Sequence, residues 1–383
     1  MHPIAHVVAG ACALALIIAA PICGAAPLPA KFDALAAPHF AASAPGATVV
    51  VLQAEQLLLR KAYGLANVEL KVPMRADYVF RIGSISKTFT AVALMQLVDR
   101  GKLLLAAPIS RYLPSSPPSW SKITVEHLLV HASGIPDLEG APSFATFQTQ
   151  SRTLDEVIAY FRDEPLDFAP GSRTRYSSSG YIVLGKLIEA VSDQSYGQYL
   201  QDHIVRRLGL RHTALGSDTA IVPGMATGYQ NAAKKPGYLS MTVPHAAGAL
   251  ISSADDLARF TLALHNGKLL SASSYERMVR PYRTSTGVQS AFASGLYLRY
   301  LHGKTMMGHN GAIEGFSTDV EYEADSKTVV VVLQNTMDNP DSARRLAKHL
   351  VALALGKPLQ APRAVAVDSK LLEALAGTYP SAS

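Results

Sequence analysis

Hydrophobic positions along this chain follow two different rhythms. Between residues 47 and 60 the order is ATVVVLQAEQLLLR, two short apolar runs broken by a polar step. Runs of this length read as strands, so 49–52 and 57–60 are expected to pair antiparallel across a turn at 53–56. From residue 84 the rhythm becomes SISKTFTAVALMQLVDRG, where Phe89, Val92, Leu94, Met95 and Val98 recur at helical spacing and Gly101 supplies a stop. That pattern predicts a helix over 84–100.

The middle of the chain mixes Pro and Ser clusters, such as YLPSSPPSW, with short helical stretches at 124–130 and 153–161. The second begins with Thr153 in a capping position and acids Asp155 and Glu156 in its first turn. A longer helix is expected after Ser179, with Leu184, Leu187, Ile188 and Val191 as its apolar stripe. Past residue 245 strand signals return. A capped amphipathic stretch, ISSADDLARFTLALHNG, precedes SGLYLRYL, TMMGHNGAIEGFSTDVEYEAD and KTVVVVLQN, and SARRLAKHLVALALG closes with a helix. Strands at both ends around a mainly helical middle predict an α/β (α+β) fold. Residues 26–105 and 245–360 would form one discontinuous α/β domain, 106–244 an inserted helical domain and 361–383 a tail.

Composition narrows the class without naming a chemistry. The 383 residues are 49% hydrophobic and 17% charged, with net charge +6, which describes a globular chain. No Lys/Arg run or aromatic-basic stripe is present, so nucleic acid is not an expected partner. Residues 7–20 are an apolar run of signal-peptide length, followed by Pro21 and small residues, so 1–25 read as an export signal. Its removal would leave a periplasmic or secreted chain with no stable membrane anchor. Cys12 and Cys23 both fall in that segment, so the mature chain would lack disulfides, thiol catalysis and thiolate metal sites.

The candidate chemistry begins with Ser84 and Lys87. A lysine in the first turn of a helix gains nothing from the helix dipole. Three residues apart, the two side chains stack on one face. A serine hydroxyl is a weak nucleophile until a base takes its proton, and a lysine whose pKa is depressed by burial is such a base. The N–H groups at a helix start also favour an anion forming above that serine. The same S-x-x-K spacing at Ser119 and Lys122 sits in a Pro/Ser-rich loop with no apolar stripe behind it and is set aside.

Other signals are weaker taken singly. Tyr176 precedes Ser177 and Ser178 just before a helix; a tyrosine near a buried lysine can share protons with it, and Ser178 can bond a substrate. Equally, Ser178 or Ser179 reads as an N-cap and Tyr176 as a half-buried aromatic. His309 lies on a strand between Gly308 and Gly311, where missing side chains let a ligand approach. His127 and His131 are spaced i,i+4, but no acid accompanies them and Gly134 soon follows, so they read as structural rather than as metal ligands. G-x-S-x-G, H-E-x-x-H and G-x4-G-K-[ST] motifs are absent, and no metal or cofactor is expected.

Taken in order, S-x-x-K, Y-x-S and H-x-G resemble the serine β-lactamase and penicillin-binding-protein superfamily. The likeness is to the branch of class C β-lactamases, D-Ala-D-Ala carboxypeptidases, D-aminopeptidases and esterases. The phrases FRIGSISKTFTA, VEHLLVHASGIPDL, FAPGSRTRYSSSGYIVLGKLIE, AAGALISSADDLARF and GHNGAIEGF carry it, over roughly residues 47–355. The resemblance implies an antiparallel sheet flanked by helices beside an all-helical domain, with the active site between them. It implies Ser84 as nucleophile, Lys87 as base, Tyr176 as proton shuttle and the backbone N–H groups of Ser84 and Ala312 as oxyanion hole. Ser178, His309, Asn310 and Gly311 would contact substrate.

Two departures bear on function. Ser178 stands where class C enzymes usually have asparagine, and His309-Asn310-Gly311 stands where they have K-T-G. Histidine, largely neutral at pH 7, does not supply the fixed charge with which that lysine holds a substrate carboxylate. The site therefore looks closer to the esterases and aminopeptidases. The expected function is an exported serine hydrolase acting on a small-molecule or peptide substrate: small esters, amides or D-amino-acid peptides. The alternative is a penicillin-recognising or murein-sensing protein with little turnover. The phrase LLEALAGTYPSAS resembles the opening of an accessory domain in relatives.

Overall fold

The computed structural model describes residues 27–360 and 368–377; the expected signal segment and most of the expected tail lie outside them. The scaffold is a seven-stranded antiparallel sheet. Its strands are β1 (Ala47–Gln53), β2 (Gln56–Tyr63), β3 (Phe292–Ala293), β4 (Leu296–Leu301), β5 (Lys304–Ile313), β6 (Phe316–Glu323) and β7 (Thr328–Gln334), in the spatial order β2-β1-β7-β6-β5-β4-β3. The N-terminal hairpin thus joins the C-terminal strands through the β1–β7 pair, where Val50 lies opposite Val331. Ala54 and Glu55 take positive φ at the β1–β2 turn, the hand that a two-residue hairpin link requires. The stretch TMMGHNGAIEGFSTDVEYEAD is not one strand but the β5–β6 hairpin, turning at Glu314-Gly315.

β7 reads TVVVVLQ and is buried along its whole length because both faces are covered. On one face Val49, Val51, Val330 and Val332 pack on helices α1 (Leu28–Ala36) and α5 (Ser342–Ala354). On the other, Val50, Val329, Val331 and Val320 join the larger core with α2 (Ser86–Asp99) and α4 (Ala254–His265). α3 (Ser178–Ser192) packs on α2 and presents its apolar stripe to the same core. α2 is buried over nearly its whole circumference, from Ser86 to Leu97. A helix so enclosed carries Lys87 into the interior, which explains how a charged residue sits in apolar company.

Helix starts match local chemistry in most places. Thr124 and Thr153 each complete a reciprocal capping box, with His127 and Glu156. At α3 the cap is Ser177, one residue earlier than expected, its Oγ accepting from the Gly180 N–H. Ser178 and Ser179 are thereby freed from capping.

Candidate active site

Ser84 lies in a short 3-10 turn, Gly83–Ile85, between the two-residue strand Phe80–Arg81 and α2. The turn is locked from two sides. The Leu250 N–H donates to Ser86 Oγ at 3.0 Å. Gly83, at φ +51°, lies against β5, where an added β-carbon would stand 3.1 Å from both the N and O of Ala312. Only glycine accepts that angle and that approach together. Ser84 and Ala312 accordingly line one cleft.

Lys87 is fully buried. Its Nζ donates to Ser84 Oγ at 3.0 Å, to the Ala247 carbonyl at 2.8 Å and, at the limit of hydrogen bonding, to Ser178 Oγ at 3.5 Å. Three acceptors for three N–H bonds is the environment of an ammonium at rest. Burial nevertheless lowers its pKa to about 8, partly opposed by the carboxylates of Glu139 and Asp137. The Ala247 carbonyl belongs to a short helix, His245–Gly248, which Thr90 of α2 holds by donating to Ala246 O at 2.6 Å.

The Tyr176 hydroxyl donates to Ser84 Oγ at 2.7 Å. Its ring lies 4.7 Å from Lys87 Nζ and 4.6 Å from the His131 ring. Burial drives the phenol pKa well above 10, so the group is a neutral donor at working pH and not a phenolate. His131 accepts from the Ser177 N–H through Nδ1 at 3.2 Å, which leaves the proton of its neutral form on Nε2. Its φ of +60° puts it beyond the short helix Val125–Leu129, so it does not share a helical face with His127.

The H-x-G residues divide between the two faces of β5. His309 is 3% exposed, donates from Nδ1 to Asn310 O at 2.6 Å and has a pKa pushed down to about 3 by burial and by Lys87. It brings no positive charge to the cleft. The Asn310 side chain leaves from the other face and accepts from Arg299 at 2.8 Å, so only its backbone is turned toward the site. A β-carbon on Gly311 would lie 2.1 Å from the Ile82 carbonyl oxygen. That contact seats the strand against the segment carrying Ser84.

Residues that sequence reasoning did not single out complete the site. Ser178 Oγ donates to Glu139 Oε1 at 3.0 Å, and the Ser178 N–H donates to Asp137 Oδ1 at 3.3 Å. Ser179 Oγ accepts the Leu138 N–H at 2.9 Å and fastens the same loop to α3. Burial, with Glu139 adjacent, pushes the Asp137 carboxyl up to about 6. The only trace of this pair in the sequence is the acidic spacing in PDLEG, which carries no periodicity. The cleft holds about 220 Å³, with Glu139 and Glu314 beside the apolar Phe144, Ile182, Val243 and Met337. Among the described residues, no cluster of three or more His, Cys, Asp or Glu is arranged to hold a metal.

A sheet sandwiched by helices, with S-x-x-K at a buried helix start and Tyr-x-Ser facing it, defines the serine β-lactamase fold. Residues 32–355 match the beta-lactamase family, and the chain belongs to it. It is 28% identical over 344 residues to a D-aminopeptidase of Gluconobacter oxydans, covering 88% of this chain and 63% of that protein. It is 24% identical over 357 residues to penicillin-binding protein 4* of Bacillus subtilis, covering 87% and 78%. Over 180 residues it is 36% identical to esterase EstB of Burkholderia gladioli, covering 43% and 46%. Among solved structures, a D-stereospecific amidohydrolase from Streptomyces sp. superposes with TM-score 0.70 at 26% identity, covering 81% of this chain and 95% of that one. The D-amino acid amidase of Ochrobactrum anthropi SV3 shares the fold with TM-score 0.74 at 24% identity, covering 86% and 99%.

Proposed function

We propose that this chain is an exported serine hydrolase that works through an acyl-enzyme on small esters, amides or D-amino-acid peptides. The observation that carries the reading is the Ser84 hydroxyl, 3.0 Å from a buried amine and 2.7 Å from a neutral phenol. Membership of the beta-lactamase family and likeness to an aminopeptidase and an esterase support it. Export rests on the apolar run at 7–20.

In this reading Ser84 Oγ attacks the substrate carbonyl carbon while neutral Lys87 takes the hydroxyl proton. The Tyr176 phenol passes a proton to the departing group and recovers one from Lys87. Water then attacks the acyl-enzyme, its proton returning by the same groups as Ser84 is released. The carbonyl oxygen becomes an anion against the backbone N–H groups of Ser84 and Ala312, each such donor contributing on the order of 3 kcal/mol. Ser178 contacts substrate through its hydroxyl, Asn310 and Gly311 through their backbone, and His309 as a neutral wall beside Tyr176.

The test is intact-mass measurement after exposure to a fluorophosphonate and to a chromogenic short-chain ester. One adduct, mapped to Ser84, with steady product release is expected, and Ser84→Ala should abolish both while melting unchanged. An adduct on another residue would overturn the mechanism. Acylation of Ser84 with no turnover would instead identify a sensor.

A further inference from the structure

β5 changes its company halfway along. From Lys304 to Gly308 it pairs with β4 on one edge, and from His309 to Ile313 its ladder runs to β6 alone. The turn carrying Ser84 sits against this second stretch, with Gly83 pressed on the N and O of Ala312. A strand bonded to neighbours on both edges is fixed in the plane of its sheet. One bonded on a single edge is free to tilt, and the Ala312 N–H tilts with it.

Where the ladder stops, a side chain takes over. Arg299 of β4 donates from Nη2 to Asn310 Oδ1 at 2.8 Å and from Nη1 to Glu321, and Asp319 Oδ1 lies 3.5 Å from Nη1. Tyr297, Gly308 and Glu321 form one row across β4, β5 and β6, and the glycine leaves the middle of that row without a side chain. The guanidinium thus ties all three strands together, and it lies 5.1 Å from the Tyr297 ring. Tyr297 in turn stacks on Tyr176 at 6.2 Å and meets His309 edge-on at 4.8 Å.

Stability does not account for this arrangement. Asp319 is fully buried and Glu321 nearly so, yet both Asp319 oxygens and Glu321 Oε2 have no hydrogen-bond partner among the described residues. Burial, with Glu321 adjacent, pushes the Asp319 carboxyl well above the usual carboxylate range. Two carboxylates share one guanidinium, and well-packed apolar residues of equal volume are often as stable as such a group. What the guanidinium supplies is geometry, a rigid planar fork that bonds two strands at once.

Resting on the serine-hydrolase reading, we propose that Arg299 is a positioning residue for the oxyanion hole. By tying Asn310 to Glu321 across the one-sided end of β5, it holds the Ala312 N–H where the substrate carbonyl oxygen gains charge. Arg299 does not line the Ser84 cleft and acts through Asn310 and Tyr297.

The experiment compares hydrolysis of p-nitrophenyl acetate with that of its thiono analogue, in which sulfur, a weak hydrogen-bond acceptor, replaces the carbonyl oxygen. Asn310→Ala cuts the tie, keeps the backbone and strands no charge. It should lower kcat for the oxoester by about 10-fold. Arg299→Met combined with Asp319→Asn and Glu321→Gln removes the charged group as a unit and should lower kcat by about 10- to 100-fold. KM should change less than kcat, and the preference for the oxoester over the thionoester should shrink in both variants. Arg299→Lys keeps the charge without the fork and should fall between the triple variant and the natural chain. An unchanged kcat, an oxoester preference unchanged in the folded variants, or a kcat loss matched by the loss of folded protein overturns the proposal. Failure of a fluorophosphonate to label Ser84 in the natural chain strikes the serine-hydrolase reading instead.

Discussion

Gly311 and Ile82 are in contact so close that a single added methyl group at position 311 would stand 2.1 Å from the Ile82 carbonyl oxygen. The strand bearing His309 and the turn bearing Ser84 are thus spaced by the absence of a side chain. In Gly311→Ala one segment must retreat from the other. The expected result is a loss of about 1–3 kcal/mol in stability, as for overpacked interiors, with a fall in ester hydrolysis larger than that loss of folded protein explains. Chemical denaturation and kcat measured on the same preparation check it.

In the proposed mechanism Lys87 must be unprotonated to accept the Ser84 proton, and its pKa is lowered to about 8. Below that pH most of the population is ammonium, so the acylation rate should rise about tenfold per pH unit on approaching pH 8 and level off above it. Lys87→Arg keeps the charge but cannot lose it, and should slow acylation by about 10³-fold or more at every pH. Stopped-flow acylation by an activated ester across pH 6–10 tests both.

Tyr176 is a neutral hydrogen-bond donor to Ser84. Tyr176→Phe retains the ring that packs on His131 and removes only the hydroxyl. It should lower kcat by about 10²-fold or more while leaving the melting temperature nearly unchanged. Because the phenol titrates well above 10, no loss of activity from its ionisation is expected between pH 8 and 10. Rate and thermal-melt measurements on the variant decide the matter.

His265 of α4 is stacked on Tyr322 at 3.8 Å and bonded through Nδ1 to the Tyr275 hydroxyl. Burial lowers its pKa to about 3. Its neutral form is the one the fold accommodates, so between the unfolded value near 6.5 and the folded value the unfolded chain binds the extra proton. The stability it contributes is full above about pH 6.5 and shrinks by about 1.4 kcal/mol per pH unit as pH falls through that window. The advantage of the natural chain over His265→Gln should therefore narrow from pH 7 to pH 5 in urea titrations.

The parts of this structure legible in the sequence are those whose residues repeat. The spacing of Phe89, Val92, Met95 and Val98 marks α2 to within a residue of its observed end at Asp99, and the valines of β1 and β7 announce buried strands. Non-repeating features were opaque. The 3-10 turn at Gly83–Ile85 depends on Ala312, over two hundred residues away. Choosing Ser177 over its neighbours as N-cap depends on His131 receiving the Ser177 N–H. Motif spacing brought Ser84, Lys87, Tyr176 and Ser178 to notice, and the structure brings their polar atoms within 3.5 Å of one another in sequence along a hydrogen-bonded chain. Asp137 and Glu139 escaped because a loop imposes no period on its residues; their place is set by Ser178 and Ser179.

The seating of Gly83 on Ala312 also has a consequence for biosynthesis. β1 borders β7, so the strand that carries Ala312 is not locked into the sheet until the chain through Gln334 has been made. A nascent polypeptide emerging with Ser84 and Lys87 already translated still lacks the wall against which the reactive turn is pressed. Under the proposed mechanism, a chain cut short before Gln334 is expected to leave Ser84 unreactive toward a fluorophosphonate, and the chain carrying β7 to react.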